Sequence, residues 1–482
     1  MSVRGCLPVI VIAAALLLQM VPAMSGEEAD SVKKGVVHIG TRVEMFVDDW
    51  LIDRMDGVSI KIHPPVKREV VMTFDKPWEG IETGYFSVVQ NDSTIRLYYR
   101  GSSGEAQQVT CYAESKDGIY FTRPSIGTYE FDGSFDNNIV WRGVESHNFA
   151  PFRDTNPEAK SNERYKAVGG VKEGNLTEPG TGLFGLASPD GLHWHRIQDR
   201  PLDMRGAFDS LNVAFYDESA GCYRLYSRYW DEGYRAIQGC TSTNFASWTE
   251  PRANQYPKGT PKEHLYTNAA APCPGAPHIL LAFPMRFVQD RRKVQGHPHS
   301  GVSDALIMTS RDGVNWERHA EAWIRPGNDV RNWTDRNNMV ARGIVQTGPD
   351  EFSMYVSEHY RWEDNRLRKL TIRRHGFGSV HASYAGGEFV TRPMKLSGEQ
   401  LVINYATSAA GSVQVEIQDE SGRALDGYSL EDYEPMYGDE LDAAVRWRSG
   451  SSISSLNGKA VRFRFVMRDA DLYSLCAASS AE

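Results

Sequence analysis

Cysteine is scarce in this sequence, and its count is odd where it matters. Six of the 482 residues are cysteine, and Cys6 lies ahead of the first apolar segment. The five others cannot all pair, which argues against a disulfide framework and leaves stability to the hydrophobic core. Cys222 and Cys240 could face each other across a hairpin, either as a bridge in an oxidising compartment or as two buried thiols.

Basic residues are fewer than acidic ones, and long apolar runs are confined to the start of the chain. The net charge of -9 at pH 7 gives no basic footprint, which argues against nucleic acid as a partner. The apolar run at 7–21 follows Arg4 and is followed by small residues, an order typical of a cleaved signal peptide at 1–25. No later window approaches about 18 uninterrupted apolar residues. We therefore expect a secreted or periplasmic protein with no membrane contact after signal removal.

Several enzyme signatures are missing as well. The sequence contains no Gly-x-Ser-x-Gly, no His-Glu-x-x-His, no Walker loop and no dinucleotide fingerprint. No organic cofactor is therefore expected.

What the sequence does contain is an internal repeat of a strand-turn motif. Its copies are SKDGIYF, SPDGLHW, STNFASW and SRDGVNW, which start at Ser115, Ser188, Ser242 and Ser310. In each copy a strand ends at Ser, the next residues form a tight turn, and an aromatic residue begins the next strand. Five aromatic-rich strands precede these hairpins and a degenerate fifth one, which predicts five blades of four strands.

The repeat divides the chain into two predicted domains of an all-β protein. A five-bladed β-propeller is expected over 36–385, because helical periodicity is scarce and turns are frequent. From 386 to 482 the strands are longer and alternate apolar with polar residues, which predicts a C-terminal β-sandwich. The strand at 43–52 falls outside the first blade and is expected to close the ring by completing the last blade.

The blade hairpins SPDGLHW and SRDGVNW resemble those of the five-bladed propeller glycoside hydrolases of families 43 and 32. A β-sandwich after the propeller is also typical of family 32. The resemblance is architectural, and the Asn-Asp-Pro motif of family 32 is absent. Arg153-Asp154 resembles that family's Arg-Asp-Pro motif, but Thr155 replaces the proline and Asp154 is expected at the far end of its strand.

The resemblance implies that sugar binds in a funnel lined by the N-terminal ends of the innermost strands. Asp209 precedes the inner strand of blade three, Glu82 that of blade one and Glu263 that of blade four. Glycoside hydrolysis needs a proton donor and a second carboxylate, so these three are the catalytic candidates. We assign Asp209 and Glu82 to the base or nucleophile and the stabiliser, and Glu263 to the general acid. The alternative is that such acids are solvated turn residues.

Other acids compete for the same roles. Asp48 and Asp49 lie near the N-terminus of the expected mature chain, where the related families carry an acidic base or nucleophile, although a structural role is favoured here. Glu79 and Glu358 also lie beside predicted inner strands or at the funnel mouth.

Arginines mark the ends of the second strands of the blades. Arg100, Arg228 and Arg286 occupy comparable positions there, and guanidinium groups bind carboxylates, sulfates or phosphates. They indicate an anionic sugar, unless each merely pairs with a nearby acid. The expected substrate-binding residues are Arg100, Arg228, Arg286, Trp78, His147 and Asn337.

An insertion at 288–304 carries His297, His299 and Asp304. These could ligate a metal, but a substrate loop at the rim of the funnel is favoured and no metal is assigned. The expected function is an exported glycoside hydrolase acting on a poly- or oligosaccharide. A non-catalytic glycan-binding propeller and a phosphorolytic relative, in which arginines hold inorganic phosphate, are the alternatives.

Overall fold

The computed structural model describes residues 35–102, 108–170, 182–448 and 450–479, so the predicted signal peptide at 1–25 lies outside the described residues. No helix in the described part is long and apolar enough to cross a membrane. Five short 3₁₀ helices are described, at Val144–His147, Ser161–Glu163, Val330–Trp333, Leu430–Asp432 and Ser454–Leu456. The described strands are β1 (Val37–Gly40), β2 (Glu44–Met45), β3 (Ile52–Asp56), β4 (Val58–Ile62), β5 (Val66–Thr73), β6 (Gly84–Asn91), β7 (Thr94–Gly101), β8 (Val109–Ser115), β9 (Ile139–Trp141), β10 (Ala150–Arg153), β11 (Tyr165–Gly169), β12 (Phe184–Ser188), β13 (His195–Arg196), β14 (Val213–Asp217), β15 (Cys222–Asp231), β16 (Tyr234–Ser242), β17 (Arg252–Ala253), β18 (Ala271–Cys273), β19 (Ala276–Ala282), β20 (Met285–Val288), β21 (Val302–Ala305), β22 (Met308–Ser310), β23 (Glu317–Arg318), β24 (Val345–Gln346), β25 (Glu351–Glu358), β26 (Arg366–Arg373), β27 (Gly378–Ala382), β28 (Gly387–Thr391), β29 (Met394–Leu396), β30 (Gln400–Gln418), β31 (Asp439–Ala444) and β32 (Arg462–Ala478).

Five four-stranded antiparallel sheets form a five-bladed β-propeller, as the repeat predicts. From the innermost strand outwards, the blades are β6-β7-β8-β9, β10-β11-β12-β13, β14-β15-β16-β17, β18-β19-β22-β23 and β24-β25-β26-β5. The inner strand β6 packs beside β10, and β10 packs beside β14. A parallel bridge from Ser87 to Arg342 joins blade one to the segment before β24. The inner strands therefore close into a ring.

The repeated motif builds one turn of each blade by local hydrogen bonds. In blade one, the Ser115 hydroxyl accepts the Gly118 N–H at 2.9 Å, and Asp117 accepts the N–H groups of the next two residues. Gly118 has φ +73°, a conformation that favours glycine. The same serine-to-glycine bond recurs in the turns of blades two and four.

The turns also join neighbouring blades. Three tyrosine hydroxyls, each from the second strand of one blade, donate to the turn glycine carbonyl of the next blade. The pairs are Tyr98 with Gly191, Tyr226 with Gly313 and Tyr355 with Gly118, at 2.8–3.0 Å. The motif thus fixes the blade-to-blade packing as well as the hairpins.

The strand that closes the ring is β5, which pairs antiparallel with β26. The prediction that 43–52 closes the ring is wrong, because β2 pairs with β32 and β3 pairs with β28. The burial patterns explain the difference. Residues 44–47 are buried on both faces, whereas β5 exposes most of its first half, as an outermost blade strand does.

Eight of the remaining strands form a second sheet around its own core: β2, β3, β4, β27, β28, β30, β31 and β32. Two long strands, β30 and β32, run through it, so the strand pairings form one continuous network. The C-terminal β-sandwich stays a prediction. Its strands come from both ends of the chain, since β2, β3 and β4, predicted within the propeller, pair here with C-terminal strands. Strands β1 and β29 form a separate two-stranded parallel sheet. As expected from the alternation, Phe463 and Phe465 are buried, and the Phe465 ring stacks on Phe389 at 4.8 Å.

Arg311 connects the blade-four turn to the N-terminal strands of this second sheet. Its guanidinium lies 2.8 Å from a carboxylate oxygen of Glu44 and 2.8 Å from one of Asp48, and it covers the Trp50 ring. Asp48 therefore takes part in a structural ion pair.

Cys222 and Cys240 are free thiols on neighbouring strands of blade three. The strand register places Leu225 opposite Cys240, so the two cysteines do not face each other.

Candidate active site

Asp209 lies just before β14, where the sequence places it, and its side chain is 48% exposed. Nε2 of His147 lies 2.8 Å from Oδ1 of Asp209, and the Tyr85 hydroxyl donates to the same oxygen at 3.4 Å. The hydrogen bond from His147, with the charges of Arg228 and Arg336, holds the pKa of Asp209 well below its usual range. Asp209 is therefore a carboxylate at any physiological pH.

His147 is oriented from its other side as well. Its Nδ1 lies 2.8 Å from Oε1 of Gln108, so both ring nitrogens have partners. Burial and the charge of Arg100 lower the pKa of His147 and outweigh the attraction of Asp209.

Glu82 lies in the same group of contacts, on the blade-one side. Arg361 holds its carboxylate at 2.7–2.8 Å and also reaches Asp335 at 2.9 Å. Arg100 donates to the Glu82 backbone carbonyl at 2.8 Å and lies 4.7 Å from the centre of the Tyr85 ring. Because Tyr85 also contacts Asp209, a chain of contacts connects the Asp209 carboxylate to the backbone of Glu82.

Left-handed backbone conformations concentrate around this group. Non-glycine residues with positive φ are uncommon and cluster at functional sites, where the surrounding structure holds them. Of twelve such residues among the described ones, six occur beside the starts of inner strands or in the loop that carries Arg361: Tyr85, Ala269, Asp335, Asn338, His359 and Arg361. We call the region around Asp209, His147, Tyr85 and Glu82 the entrance; half of the strained positions lie near it.

Glu263 does not join this group. Its two oxygens lie 3.1 Å from Arg286 and 3.3 Å from Arg318, and Arg286 also holds Asp304 with two hydrogen bonds. Residues 264–266 pair with β20, which directs Glu263 towards the outer strand β23. The positions of Glu263 and Arg286 favour a structural ion-pair network, and their roles in catalysis and binding stay predictions.

We expect Glu263→Gln to retain turnover to within about threefold of the native protein, while lowering thermal stability because Arg286 and Arg318 lose a partner. Kinetics on a cleaved glycan and a thermal melt on the same preparation provide the check. A loss of turnover with an unchanged melting temperature would restore Glu263 as the catalytic acid.

Two other predicted binding residues, Asn337 and Trp78, make structural contacts. Asn337 is fully buried, donates to the Thr334 carbonyl at 2.6 Å and accepts the Tyr360 N–H at 2.8 Å. Trp78 donates to Asn138 at 2.7 Å and packs edge-on against Phe131 within blade one. Asn337 holds the loop beside Arg361, whereas Trp78 belongs to the blade core.

The competing acids have structural partners. Glu79 is fully buried and accepts from Tyr99 and Arg123, and Glu358 pairs with three basic side chains of blade five. Asp49 is exposed in the turn before β3. Asp154 is buried against Lys166 and Tyr223, away from the entrance as expected.

The insertion at 288–304 reaches the rim of the entrance. Burial and the nearby Arg361 lower the pKa of His299, and the His297 ring lies 5.2 Å from that of Trp362. Asp304 is held by Arg286. Among the residues that the structure describes, no group of three His, Cys, Asp or Glu side chains could hold a metal ion.

The sequence patterns did not lead us to several residues of the candidate site. Asp335 lies one residue before Arg336, a position that the inner-strand rule would have covered. Arg235 lies opposite Trp230 in the register of the β15–β16 hairpin. A turn near Asp231 was already predicted from the sequence, and it implies this pairing. Tyr85 and Tyr266 had no signal beyond their closeness to inner strands.

No protein-family model and no curated protein matches this chain. Solved structures similar to it include the catalytic domain of a family 62 α-L-arabinofuranosidase of Coprinopsis cinerea, at 12% identity, covering 64% of this chain and 97% of that one, with a TM-score of 0.41. A β-1,2-mannobiose phosphorylase of Listeria innocua matches at 12% identity over 65% of this chain and 97% of that one, with a TM-score of 0.42. An N-acetylgalactosamine deacetylase of F. plautii matches at 12% identity over 65% and 95%, with a TM-score of 0.39. At such TM-scores these similarities assign no reaction, and the site geometry carries the functional argument.

Proposed function

We propose that the entrance formed by Asp209, Glu82 and their neighbours binds a glycan and cleaves a glycosidic bond by hydrolysis. The observation that carries the proposal is the partly exposed, charged Asp209, held by His147 in an entrance lined by arginine and tyrosine side chains. Purified protein incubated with neutral and anionic polysaccharides, followed by product analysis, tests it. Absence of new reducing ends from every class would count against hydrolysis.

Asp209 suits the base or nucleophile in this proposal. Its depressed pKa means that it does not carry a proton to donate, and its exposure leaves one side open to substrate or water. The hydrogen bond from His147 keeps the carboxylate oriented.

Glu82 is the second carboxylate of the entrance and our candidate for the proton donor. It is 35% exposed, and its bonds to Arg361 would have to be released for the carboxyl group to carry a proton. An anionic substrate could release them by attracting Arg361 to itself. This assignment replaces Glu263 in the acid role.

The acid role of Glu82 has a specific signature. We expect Glu82→Gln to lower kcat on a natural glycan by roughly 10²- to 10⁴-fold, the usual contribution of a general acid. The loss should be much smaller on an aryl glycoside whose leaving group needs no protonation. Equal losses on both substrates would instead indicate that Glu82 orients or stabilises.

The signal-like segment at 1–25 supports an exported enzyme, which would meet extracellular glycans. The alternatives remain distinguishable by reaction. Turnover that requires inorganic phosphate would indicate a phosphorylase, and tight glycan binding without products would indicate a binding protein.

A further inference from the structure

Three arginines surround one tyrosine ring at the entrance. The guanidinium carbons of Arg228, Arg235 and Arg336, here called the arginine cluster, lie 5.3, 5.2 and 5.5 Å from the centre of the Tyr266 ring. Arg336 also donates to the Tyr266 hydroxyl at 2.9 Å. Like charges this close repel one another, so an anion among them would be stabilised.

Arg235 has the least compensated charge of the three. Its guanidinium lies 4.8 Å from the Trp230 ring and 5.7 Å from the Phe287 ring, in addition to Tyr266. Its Nε is buried without a hydrogen-bond partner, and none of the described carboxylates forms a salt bridge with it. Burial, together with the charges of Arg228 and Arg336, lowers the pKa of Arg235. Arg336, in contrast, pairs with Asp335 at 3.1 Å, so Arg235 is the member of the cluster whose charge an anionic ligand would compensate.

An aromatic surface adjoins the arginine cluster. Trp230 is directly opposite Arg235 in the β15–β16 register and is 42% exposed, an unusual exposure for an indole. A sugar ring beside Trp230 would place its substituents next to Arg235 and would leave the glycan close to Asp209, whose pKa responds to both Arg228 and Arg336.

We propose that the arginine cluster is a subsite for a tetrahedral oxyanion, the sulfate ester of a sulfated glycan. This inference rests on the proposed function, because it places the sulfated sugar in the same entrance. The three guanidinium groups around the Tyr266 ring carry more N–H donors than one planar carboxylate, which a single fork satisfies, and a sulfate ester presents three free oxygens. Inorganic phosphate shares this chemistry and is the other source to distinguish.

The test measures binding rather than turnover, so its outcome does not depend on whether the protein hydrolyses the glycan. Oligosaccharides from carrageenan, fucoidan and chondroitin sulfate, each beside its chemically desulfated form, are titrated by calorimetry against the native protein and Asp209→Asn. Arg235→Met is the test variant, and Arg252→Met, exposed on the outer strand of the same blade, is the matched control. Inorganic phosphate and sulfate are titrated in parallel arms.

We expect at least one sulfated oligosaccharide to bind about tenfold or more tightly than its desulfated form, in native protein and Asp209→Asn alike. Arg235→Met should abolish that difference, and Arg252→Met should keep it. Binding of phosphate that Arg235→Met abolishes, with no preference for sulfated sugars, would support the oxyanion subsite and identify its ligand as free phosphate. Equal binding of sulfated and desulfated forms without phosphate binding, or an Arg235→Met variant that binds as the native protein does, would overturn the proposal. Loss of turnover in Asp209→Asn with sulfate-selective binding intact would confirm both proposals separately.

Discussion

Asp209→Asn is expected to lower glycan turnover by roughly 10²- to 10⁴-fold while the protein stays folded. The substitution keeps the shape of the side chain and removes the charge that His147, Arg228 and Arg336 stabilise. The side chain is half exposed and packs in no core, so the blade has no reason to unfold. Steady-state kinetics with product analysis measures the loss.

A matched control comes from the same blade. Asp217 follows the inner strand β14 at its other end and pairs with Arg224, so Asp217→Asn changes a blade-three carboxylate far from the entrance. We expect that variant to keep native turnover even if its melting temperature falls. Full turnover in a folded Asp209→Asn protein would show that the chemistry lies elsewhere.

Arg311→Met is expected to destabilise the protein by about 1–3 kcal/mol, because Glu44 and Asp48 lose a charged hydrogen-bond partner while Arg42 and His278 still contact Glu44. Glu44 is fully buried. Arg311, in the turn of blade four, pairs with the carboxylates of both Glu44 and Asp48. Thermal and chemical melts should show the loss. The exposed Arg423, which pairs with Asp419 in the second sheet, provides the control as Arg423→Met and should melt as the native protein does.

The Arg311–Glu44 ion pair also predicts how stability changes as the pH is lowered. Burial would raise the pKa of Glu44, but His278 and Arg311 lower it from 4.5 to about 2. A depressed carboxyl pKa stabilises the fold above the unfolded value near 4.5 and loses that contribution as pH falls towards 2. Arg311→Met should therefore unfold at a higher pH than the native protein. An identical acid midpoint would contradict the structural role of this ion pair.

The five blades could be predicted because their signal is local. The turn at Ser115 to Gly118 is made by side chains and backbone groups within a few residues, so the sequence pattern specifies it directly. The strand that closes the ring could not be predicted in the same way. Arg366 pairs with Thr73, far away in the sequence, so the closing strand depends on a contact that no local pattern specifies. Burial on both faces, visible only in the fold, placed residues 44–47 in the second sheet instead.

The site was predicted where one rule held, that residues just before an inner strand face the entrance. The rule found Asp209, Glu82 and His147, which the structure brings into one chain of contacts. It failed for Glu263, because residues 264–266 pair with β20 before the inner strand begins. The rule would also have covered Asp335, but it was not applied to that residue.

The arginines illustrate a second limit. Arg100 and Arg228 were expected at the entrance from their places on second strands, and both lie there. Arg286 has the comparable sequence position but pairs with Asp304 across the β20–β21 hairpin. That hairpin is an insertion in blade four, so equal position along the chain does not give equal position in space.

A crystal structure of Asp209→Asn bound to an oligosaccharide that the native protein cleaves tests the central claim most directly. The account predicts that the sugar ring at the cleaved bond lies within hydrogen-bonding distance of the side chain at position 209, with Glu82 on the other side of that bond. A sugar bound on the second sheet, or at the opposite mouth of the propeller near Arg342, would contradict it.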